Sequence, residues 1–152
     1  MRGVLRFTAF LLLSACSSTA KYVVMPDGSQ PVLYPAENVL RWNLVDGAYR
    51  SPSGTATIYI DETVRLDKGV MVGDGVRIGR NSEIDEDTTL LPNVTVGEGT
   101  AIKGDVVIGA NTTIGNHVKI WGDAKIGANS TIKDGVTIPK WKVLPAGSTV
   151  GK

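Results

Sequence analysis

Two residues of this chain offer chemistry that no other position offers. His117 is the only histidine and Cys16 the only cysteine among the 152 residues. Histidine is the side chain most often used for general acid–base catalysis. A zinc site needs about three ligands of the His or Cys type, so the sequence predicts neither a metal site nor a cofactor. A single cysteine in an exported chain also cannot form an internal disulfide.

Cys16 ends a segment that is organised like an export signal. Arg2 and Arg6 form a basic segment that precedes an apolar run at residues 7–13. This run is too short to span a bilayer. The tetrad LSAC that follows closely resembles the lipobox of bacterial lipoproteins, whose cysteine sulfur is acylated. The resemblance implies a signal peptide at residues 1–15 and lipid attachment at Cys16.

Export and anchoring follow from the same resemblance. Mature lipoproteins carry several acyl chains, palmitate among them, and more than one chain makes anchoring stable. Ser17 directly after the cysteine implies the outer membrane, with the protein facing the periplasm. A membrane contacted through this anchor is therefore an expected partner. Nucleic acid is not, because the formal net charge is +1 and no block of like charges occurs.

A strict period of six residues runs through the second half of the chain. Every sixth residue from Ile60 onward is aliphatic, without a slip or an insertion over ninety residues. Neither the 3.6-residue period of a helix nor the two-residue period of an ordinary strand produces this pattern. The sixteen positions are Ile60, Leu66, Val72, Ile78, Ile84, Leu90, Val96, Ile102, Ile108, Ile114, Ile120, Ile126, Ile132, Ile138, Leu144 and Val150.

The fourth position of each hexapeptide carries the residues of tight turns. Twelve of fifteen such positions are Gly, Asn or Asp, the residues that best tolerate a positive φ. These residues therefore predict a corner at the fourth position of each hexapeptide. Pro139 and Lys142 depart from the pattern, and a local distortion is expected at residues 139–142.

The repeat resembles the hexapeptide-repeat family, whose chains wind as a left-handed parallel β-helix. The resemblance covers residues 58–152 and implies an all-β fold of about five coils of eighteen residues, roughly 25 Å long if adjacent coils pair at the usual spacing. Residues 16–57 lie outside the repeat and are expected to form a tether and an N-terminal strap or cap.

The family resemblance also raises two kinds of catalysis. Many members are acyltransferases, usually trimers, that use acyl-CoA or acyl-carrier protein and a histidine near the groove between subunits. Only His117 could be that general base here. Other members are zinc carbonic anhydrases, with three histidines drawn from two neighbouring subunits, and one histidine per chain fits that arrangement poorly.

A structural interpretation of His117 competes with the catalytic one. His117 occupies a fourth position, and histidine is among the residues enriched at positive φ. An exported protein also lacks access to cytoplasmic acyl-CoA. These points favour a non-catalytic, membrane-anchored scaffold or binding lipoprotein of the cell envelope, with no favoured catalytic residue. The alternative is a hexapeptide-repeat acyltransferase that uses His117 as general base, so enzymatic activity is left open.

Apolar residues on the outside of the repeat suggest a contact surface. Met71, Leu91, Val107 and Val143 share one wall, and Trp121 stands where the repeat prefers glycine. An exposed apolar wall indicates an interface or a surface covered by the chain itself. The sequence thus predicts self-association, as a trimer or end to end, and names no ligand.

Overall fold

A computed structural model describes residues 25–152, which wind into a three-sided parallel β-helix. One short helix, α1 (Ala36–Val39), lies near the start. The strands are β1 (Leu33–Pro35), β2 (Asn43–Val45), β3 (Ala48–Arg50), β4 (Thr57–Ile60), β5 (Arg65–Leu66), β6 (Met71–Gly73), β7 (Arg77–Ile78), β8 (Glu83–Ile84), β9 (Thr89–Leu90), β10 (Thr95–Val96), β11 (Ala101–Ile102), β12 (Val107–Ile108), β13 (Thr113–Ile114), β14 (Lys119–Ile120), β15 (Lys125–Ile126), β16 (Thr131–Ile132), β17 (Thr137–Ile138), β18 (Val143–Leu144) and β19 (Thr149–Val150). Within residues 25–152, no helix is long and apolar enough to cross a membrane.

Three sheets form the walls of the helix. Sheet 1 has the order β1-β6-β9-β12-β15-β18, sheet 2 the order β19-β16-β13-β10-β7-β4-β3-β2, and sheet 3 the order β17-β14-β11-β8-β5. From β4 onward each strand pairs in parallel with the strand three places along, so that Val96 lies beside Ile114. The eighteen-residue register and the all-β helix predicted from the sequence are confirmed.

The corners between sheets adopt the predicted backbone conformation. The fourth residue of each hexapeptide, from residue 69 to residue 147, has a positive φ. At the corners that are not glycine, φ lies between 54° and 65°. Asparagine and aspartate tolerate this region better than other side-chain-bearing residues. The turn chemistry of the repeat therefore sets the triangular cross-section.

No distortion occurs at residues 139–142, contrary to expectation. Trp141 takes the corner conformation with φ of 61°, and its N–H donates to the carbonyl of Gly122 at 3.1 Å. Lys142 is exposed, although it holds a position that points inward in other coils. The backbone keeps its register because coil-to-coil hydrogen bonds do not depend on the side chain at the corner.

The core is a set of stacked aliphatic side chains. Ile84, Ile102 and Ile120 each have no exposed surface and lie in successive coils of sheet 3. Each burial of this kind stabilises the fold by about 1.5–3 kcal/mol. Buried hydroxyls complete the interior: the Oγ1 of Thr100 donates to the carbonyl of Gly115 at 2.7 Å, so the polar group is not left unpaired.

Residues preceding the repeat close its first coil. Strand β1 pairs antiparallel with β6, and the hairpin of β2 and β3 adds antiparallel to β4. Ala36 and Val39 of α1 are buried in the same core as Ile58. The first-coil edges of sheets 1 and 2 are thereby paired, which blunts them as sites of strand pairing with other chains, whereas β5 remains the edge strand of sheet 3.

The N-terminal residues also cover part of the apolar wall, which corrects one prediction. Met71 and Leu91 are 0% and 2% exposed, and Met25 packs on Leu91. Neither residue is therefore available as a contact surface for a partner. Val107 is half-buried against the same cluster, whereas Val143 is 65% exposed.

Ion pairs on sheet 3 give one prediction about pH. Glu83 lies 3.4 Å from Arg65 and 3.3 Å from Lys103. The hydrogen bond from Lys103, and then the charges of Lys103 and Arg65, lower the pKa of Glu83. Glu83 therefore stabilises the fold above its unfolded pKa of about 4.3, and this stabilisation is lost as the pH falls through the lower folded pKa.

Replacing Glu83 by Gln is expected to reduce the free energy of unfolding near neutral pH by less than about 1 kcal/mol, since the pair is solvent-screened. The difference from wild type shrinks below about pH 4.3. Urea unfolding across a pH series measures it. Glu86→Gln is the matched control, because Glu86 is exposed and forms no ion pair within residues 25–152. A gap that widens on acidification would contradict the assignment.

Candidate functional site

His117 lies at the corner between β13 of sheet 2 and β14 of sheet 3. Its φ is 55°, as predicted for a corner residue, and its side chain is exposed. The backbone N–H of His117 donates to the carbonyl of Glu98 at 2.8 Å. A rigid scaffold thus presents the imidazole to solvent, and the corner role and a chemical role do not exclude each other.

Glycine on either side gives the imidazole its space. Along this corner the residues one coil before and one coil after are Gly99 and Gly135, with φ of 62° and 71°. A Cβ on Gly99 would fall 2.6 Å from the Nδ1 of His117, whereas a Cβ on Gly135 would meet nothing within 4 Å. The ring therefore leans over Gly99, and one edge stays open toward Gly135.

A polar ladder runs beside the imidazole, one residue earlier in each coil. Arg80 Nε lies 3.3 Å from Glu98 Oε1, and the backbone N–H of Glu98 donates to Asn116 Oδ1 at 2.8 Å. The N–H of Asn116 in turn donates to Asp134 Oδ1 at 2.8 Å. These bonds hold the peptide that precedes His117 and place carboxylates in the coils on both sides of it.

This ladder was not predicted from the sequence. Glu98, Asn116 and Asp134 are each one place before a corner, and the eighteen-residue period puts them in one column. That period was available from the aliphatic positions alone. The column draws attention only because the structure places His117 beside it.

The arrangement suits proton transfer at an exposed position. An imidazole held by its backbone can accept a proton from a hydroxyl or amine within about 2.6–3.2 Å. The corner is convex, however, whereas small-molecule sites usually bury 70–90% or more of the ligand. One chain therefore supplies the reacting group but not the enclosure.

The remaining predicted residues do not converge on His117. Cys16 and the signal peptide lie outside the described residues. Trp121 follows β14 on the adjoining wall and is 43% exposed, and Val143 lies in sheet 1. Among residues 25–152, no group of three or more His, Cys, Asp or Glu is arranged to hold a metal ion.

Several solved structures that resemble this chain are acetyltransferases. A truncated serine acetyltransferase apoenzyme superposes with a TM-score of 0.53 at 26% identity, covering 57% of this chain and 39% of its own. Serine acetyltransferase from Neisseria gonorrhoeae gives 0.49 at 28%, covering 62% and 38%. The acetyltransferase domain of PglB from Neisseria gonorrhoeae FA1090, in complex with acetyl coenzyme A, gives 0.46 at 19%, covering 77% and 60%. This chain spans less than two thirds of the length of each.

The three-sided parallel β-helix and its positive-φ corners define the class of this domain. It is a transferase-like hexapeptide-repeat domain that forms a left-handed parallel β-helix. Within that class, the chain belongs to the family described as the GMPPB C-terminal domain, whose model matches residues 54–150. No curated protein matches the chain.

These comparisons correct the main functional prediction. A non-catalytic scaffold or binding lipoprotein was expected, chiefly because His117 fits a corner and because an exported protein lacks cytoplasmic acyl-CoA. The likeness to serine acetyltransferase, together with the family match, favours the alternative of a hexapeptide-repeat acyltransferase. The argument from the corner position of His117 fails physically, since a residue at a corner can be exposed, fixed and able to react at the same time.

Proposed function

We propose that this protein is a hexapeptide-repeat acyltransferase that moves an acyl group onto a hydroxyl or amine, with His117 as general base. The observation that carries the proposal is the likeness of the coils to serine acetyltransferase at 26% identity and a TM-score of 0.53. The exposed imidazole over Gly99 supplies the one residue that such chemistry requires.

The proposed step uses the groups in the following way. His117 takes the proton from the acceptor while the acceptor's oxygen or nitrogen attacks the acyl carbonyl carbon. The bond from that carbon to the donor's leaving atom breaks, and the leaving group receives the proton from the imidazolium. For a thioester donor the products are the acylated acceptor and a free thiol. Proton transfer of this kind contributes typically 10²–10⁴-fold to a rate.

A second copy of the chain is proposed to complete the site. His117 projects from a convex corner, so a wall from another copy is needed to exclude water and to bury a substrate. A trimer, as the family resemblance implies, places such a wall beside each of three corners. Sedimentation of the protein at the concentration of the activity assay tests the need for a second copy. Activity in a sample that contains monomer alone would contradict the proposal.

Export and lipid anchoring at Cys16 are proposed together with a consequence for the donor. A chain anchored at the outer membrane and facing the periplasm needs an activated acyl donor present there. Metabolic labelling with palmitate, compared between wild type and Cys16→Ser, tests the anchor. Incorporation that survives the substitution would contradict lipidation at this residue.

Acyl transfer itself is tested with the purified full-length chain. Acetyl-CoA serves as a soluble thioester probe, and a panel of serine, amino sugars and hydroxylated sugars serves as acceptors. Mass spectrometry of the acceptors is expected to show an acetylated product that depends on the protein. If neither acetyl-CoA nor longer acyl thioesters yield product with any hydroxyl or amine acceptor, the thioester-dependent form of the proposal fails.

Two glycine variants test how the imidazole is held. Gly99→Ala and Gly135→Ala place an alanine at similar positive φ along the same corner, so each is expected to cost about 1–2 kcal/mol of stability. Only the methyl group at residue 99 overlaps the ring of His117. Gly99→Ala is therefore expected to shift the imidazole NMR signals, unambiguous for a single histidine, and to lower the transfer rate.

Gly135→Ala is the matched control for that experiment, because its added Cβ meets nothing within 4 Å. It is expected to leave both the imidazole signals and the rate near wild type. Equal losses of activity in the two variants would mean that backbone strain, and not the position of the ring, controls the rate.

A further inference from the structure

The C-terminal coils carry an aromatic patch that the proposed catalysis does not use. Trp121 and Trp141 are 43% and 68% exposed, Val143 is 65% exposed, and Pro139 is exposed as well. Coil pairing places residue 121 beside residue 139 and residue 125 beside residue 143. The four apolar side chains thus surround the corner between sheet 3 and sheet 1, and we call them the tryptophan patch.

The backbone at Trp141 indicates that this surface has a role. Its φ of 61° lies in the left-handed region, which costs a bulky residue roughly 1–2 kcal/mol. The other described corners from residue 69 to residue 147 hold Gly, Asn, Asp or His. The exposed ring recovers little of that cost by packing within the chain, and residues held in such conformations cluster at functional surfaces.

Lysines border the tryptophan patch. The Nζ of Lys119 lies 5.6 Å from the ring centre of Trp121, and the Nζ of Lys140 lies 4.6 Å from that of Trp141. Lys125 and Lys142 are exposed at the same corner. In these coils the carboxylate at this corner is that of Asp123, which lies 3.7 Å from Lys140. Asp105 follows one coil away, in the acidic half of the helix.

The charge of the whole helix is unevenly divided along its length. Residues 58–105 contain ten acidic and five basic side chains, whereas residues 106–152 contain six lysines and two aspartates. The aromatic surface therefore lies within the cationic half. A partner that fits it presents negative charge next to a layer that accepts indole rings.

We propose that the tryptophan patch and its lysines dock this protein on the surface of an anionic lipid membrane. Lysines attract phosphate headgroups while their stems cover apolar surface, and indole rings settle where an apolar layer meets water. This contact is separate from the lipid expected on Cys16, and it orients the β-helix with its C-terminal coils toward the lipid. It does not depend on acyl transfer, because His117 lies at a different corner.

Vesicle binding of the full-length chain tests the proposal. All proteins carry Cys16→Ser and an identical N-terminus, so differences between them report the tryptophan patch. Vesicles contain phosphatidylcholine alone or phosphatidylcholine with phosphatidylglycerol. The protein with an unchanged tryptophan patch is expected to bind the anionic vesicles more tightly than the neutral ones. Its tryptophan emission is expected to shift to the blue and to be quenched by brominated lipid.

The aromatic variants keep the local backbone. Trp121→Gly uses the residue common at that repeat position, and Trp141→Asn uses a residue that fills other corners. The variant that carries both substitutions is expected to lose most of the blue shift and quenching, with Trp42, which packs on Tyr34, left as an internal reference.

The charge variants separate the patch from net charge. Replacing Lys119 and Lys125 together by Gln is expected to weaken binding to anionic vesicles by about 30-fold. Lys133→Gln removes one exposed lysine beside sheet 2, away from the patch. Because headgroup attraction falls off within a Debye length, a loss below about twofold is expected.

Three outcomes would overturn the proposal. Equal binding by the wild type and the patch variants would show that the N-terminus alone is responsible. Equal binding to neutral and anionic vesicles would exclude the lysines. A change of oligomer mass in Trp141→Asn without vesicles, combined with no effect on lipid binding, would assign the patch to contact between copies of the chain.

Discussion

Replacing His117 by Asn is expected to lower the proposed acyl-transfer rate by about 10²–10⁴-fold while leaving the fold intact. Asparagine removes the imidazole but tolerates the corner, where Asn81, Asn93, Asn111 and Asn129 already adopt φ of 58° to 65°. The loss is expected in kcat more than in KM, since proton transfer acts in the transition state and not in binding. Steady-state kinetics at fixed pH measure both constants.

The control for this variant changes another exposed corner. Asp105→Asn removes a carboxylate at φ of 61° on the corner between sheets 3 and 1, and it is expected to leave kcat within about twofold of wild type. Urea unfolding of both variants verifies that stability is near wild type. If His117→Asn transferred acyl groups at the wild-type rate, the imidazole would have no catalytic role.

Replacing Ile102 by Ala is expected to reduce the free energy of unfolding by about 2–5 kcal/mol. The side chain has no exposed surface and is stacked between Ile84 and Ile120 of neighbouring coils. Because a solenoid is stabilised by contacts between successive coils, a cavity in a middle coil weakens the interfaces on both sides. Equilibrium urea unfolding measures the difference.

Leu144→Ala provides the comparison, since Leu144 lies in the last described coil and is only partly buried against the core. The same loss of side-chain atoms should cost clearly less there, because fewer neighbouring atoms lose contacts. Ile102→Val, which removes one methyl group, is expected to cost about 0.5–1.5 kcal/mol. Equal costs at residues 102 and 144 would mean that coil position does not govern the energetics.

The repeat was predictable because its two physical requirements are written in the sequence. A narrow core accepts an aliphatic side chain once per wall, which gives the six-residue spacing. A tight corner demands positive φ, which selects Gly, Asn and Asp and also admits His117. From these two constraints follow the wall register, the corners and the column that contains Glu98, Asn116 and Asp134.

The N-terminal residues were less predictable, since their structure depends on contacts with the helix they cover. Nothing local to Met25 or Leu33 indicates that Met25 packs on the cluster of Leu91 and Ala110, or that Leu33 pairs with Gly73 at the edge of sheet 1. The exposed apolar wall inferred from the repeat was therefore partly wrong: it ends where the chain folds back. The regular corner at Trp141 was missed because Pro139 and Lys142 depart from the repeat and were expected to distort the coil.

The function of His117 could not be read from its position alone. A corner histidine satisfies the turn whether or not it reacts, so sequence spacing favoured the structural role. The proposed catalytic role draws its support from the surroundings: Gly99 beneath the ring, Gly135 beyond it, and the polar ladder that fixes the preceding peptide. Those features belong to adjacent coils eighteen residues away.

The central claim is acyl transfer with His117 as base, and thiol release from acetyl-CoA tests it most directly. The release is followed for wild type and His117→Asn with the acceptor that gives the most product, and the rate without acceptor is subtracted. We expect acceptor-dependent release by wild type and a rate about 10²–10⁴-fold lower for the variant. Acceptor-dependent release at equal rates in the two proteins would contradict the claim.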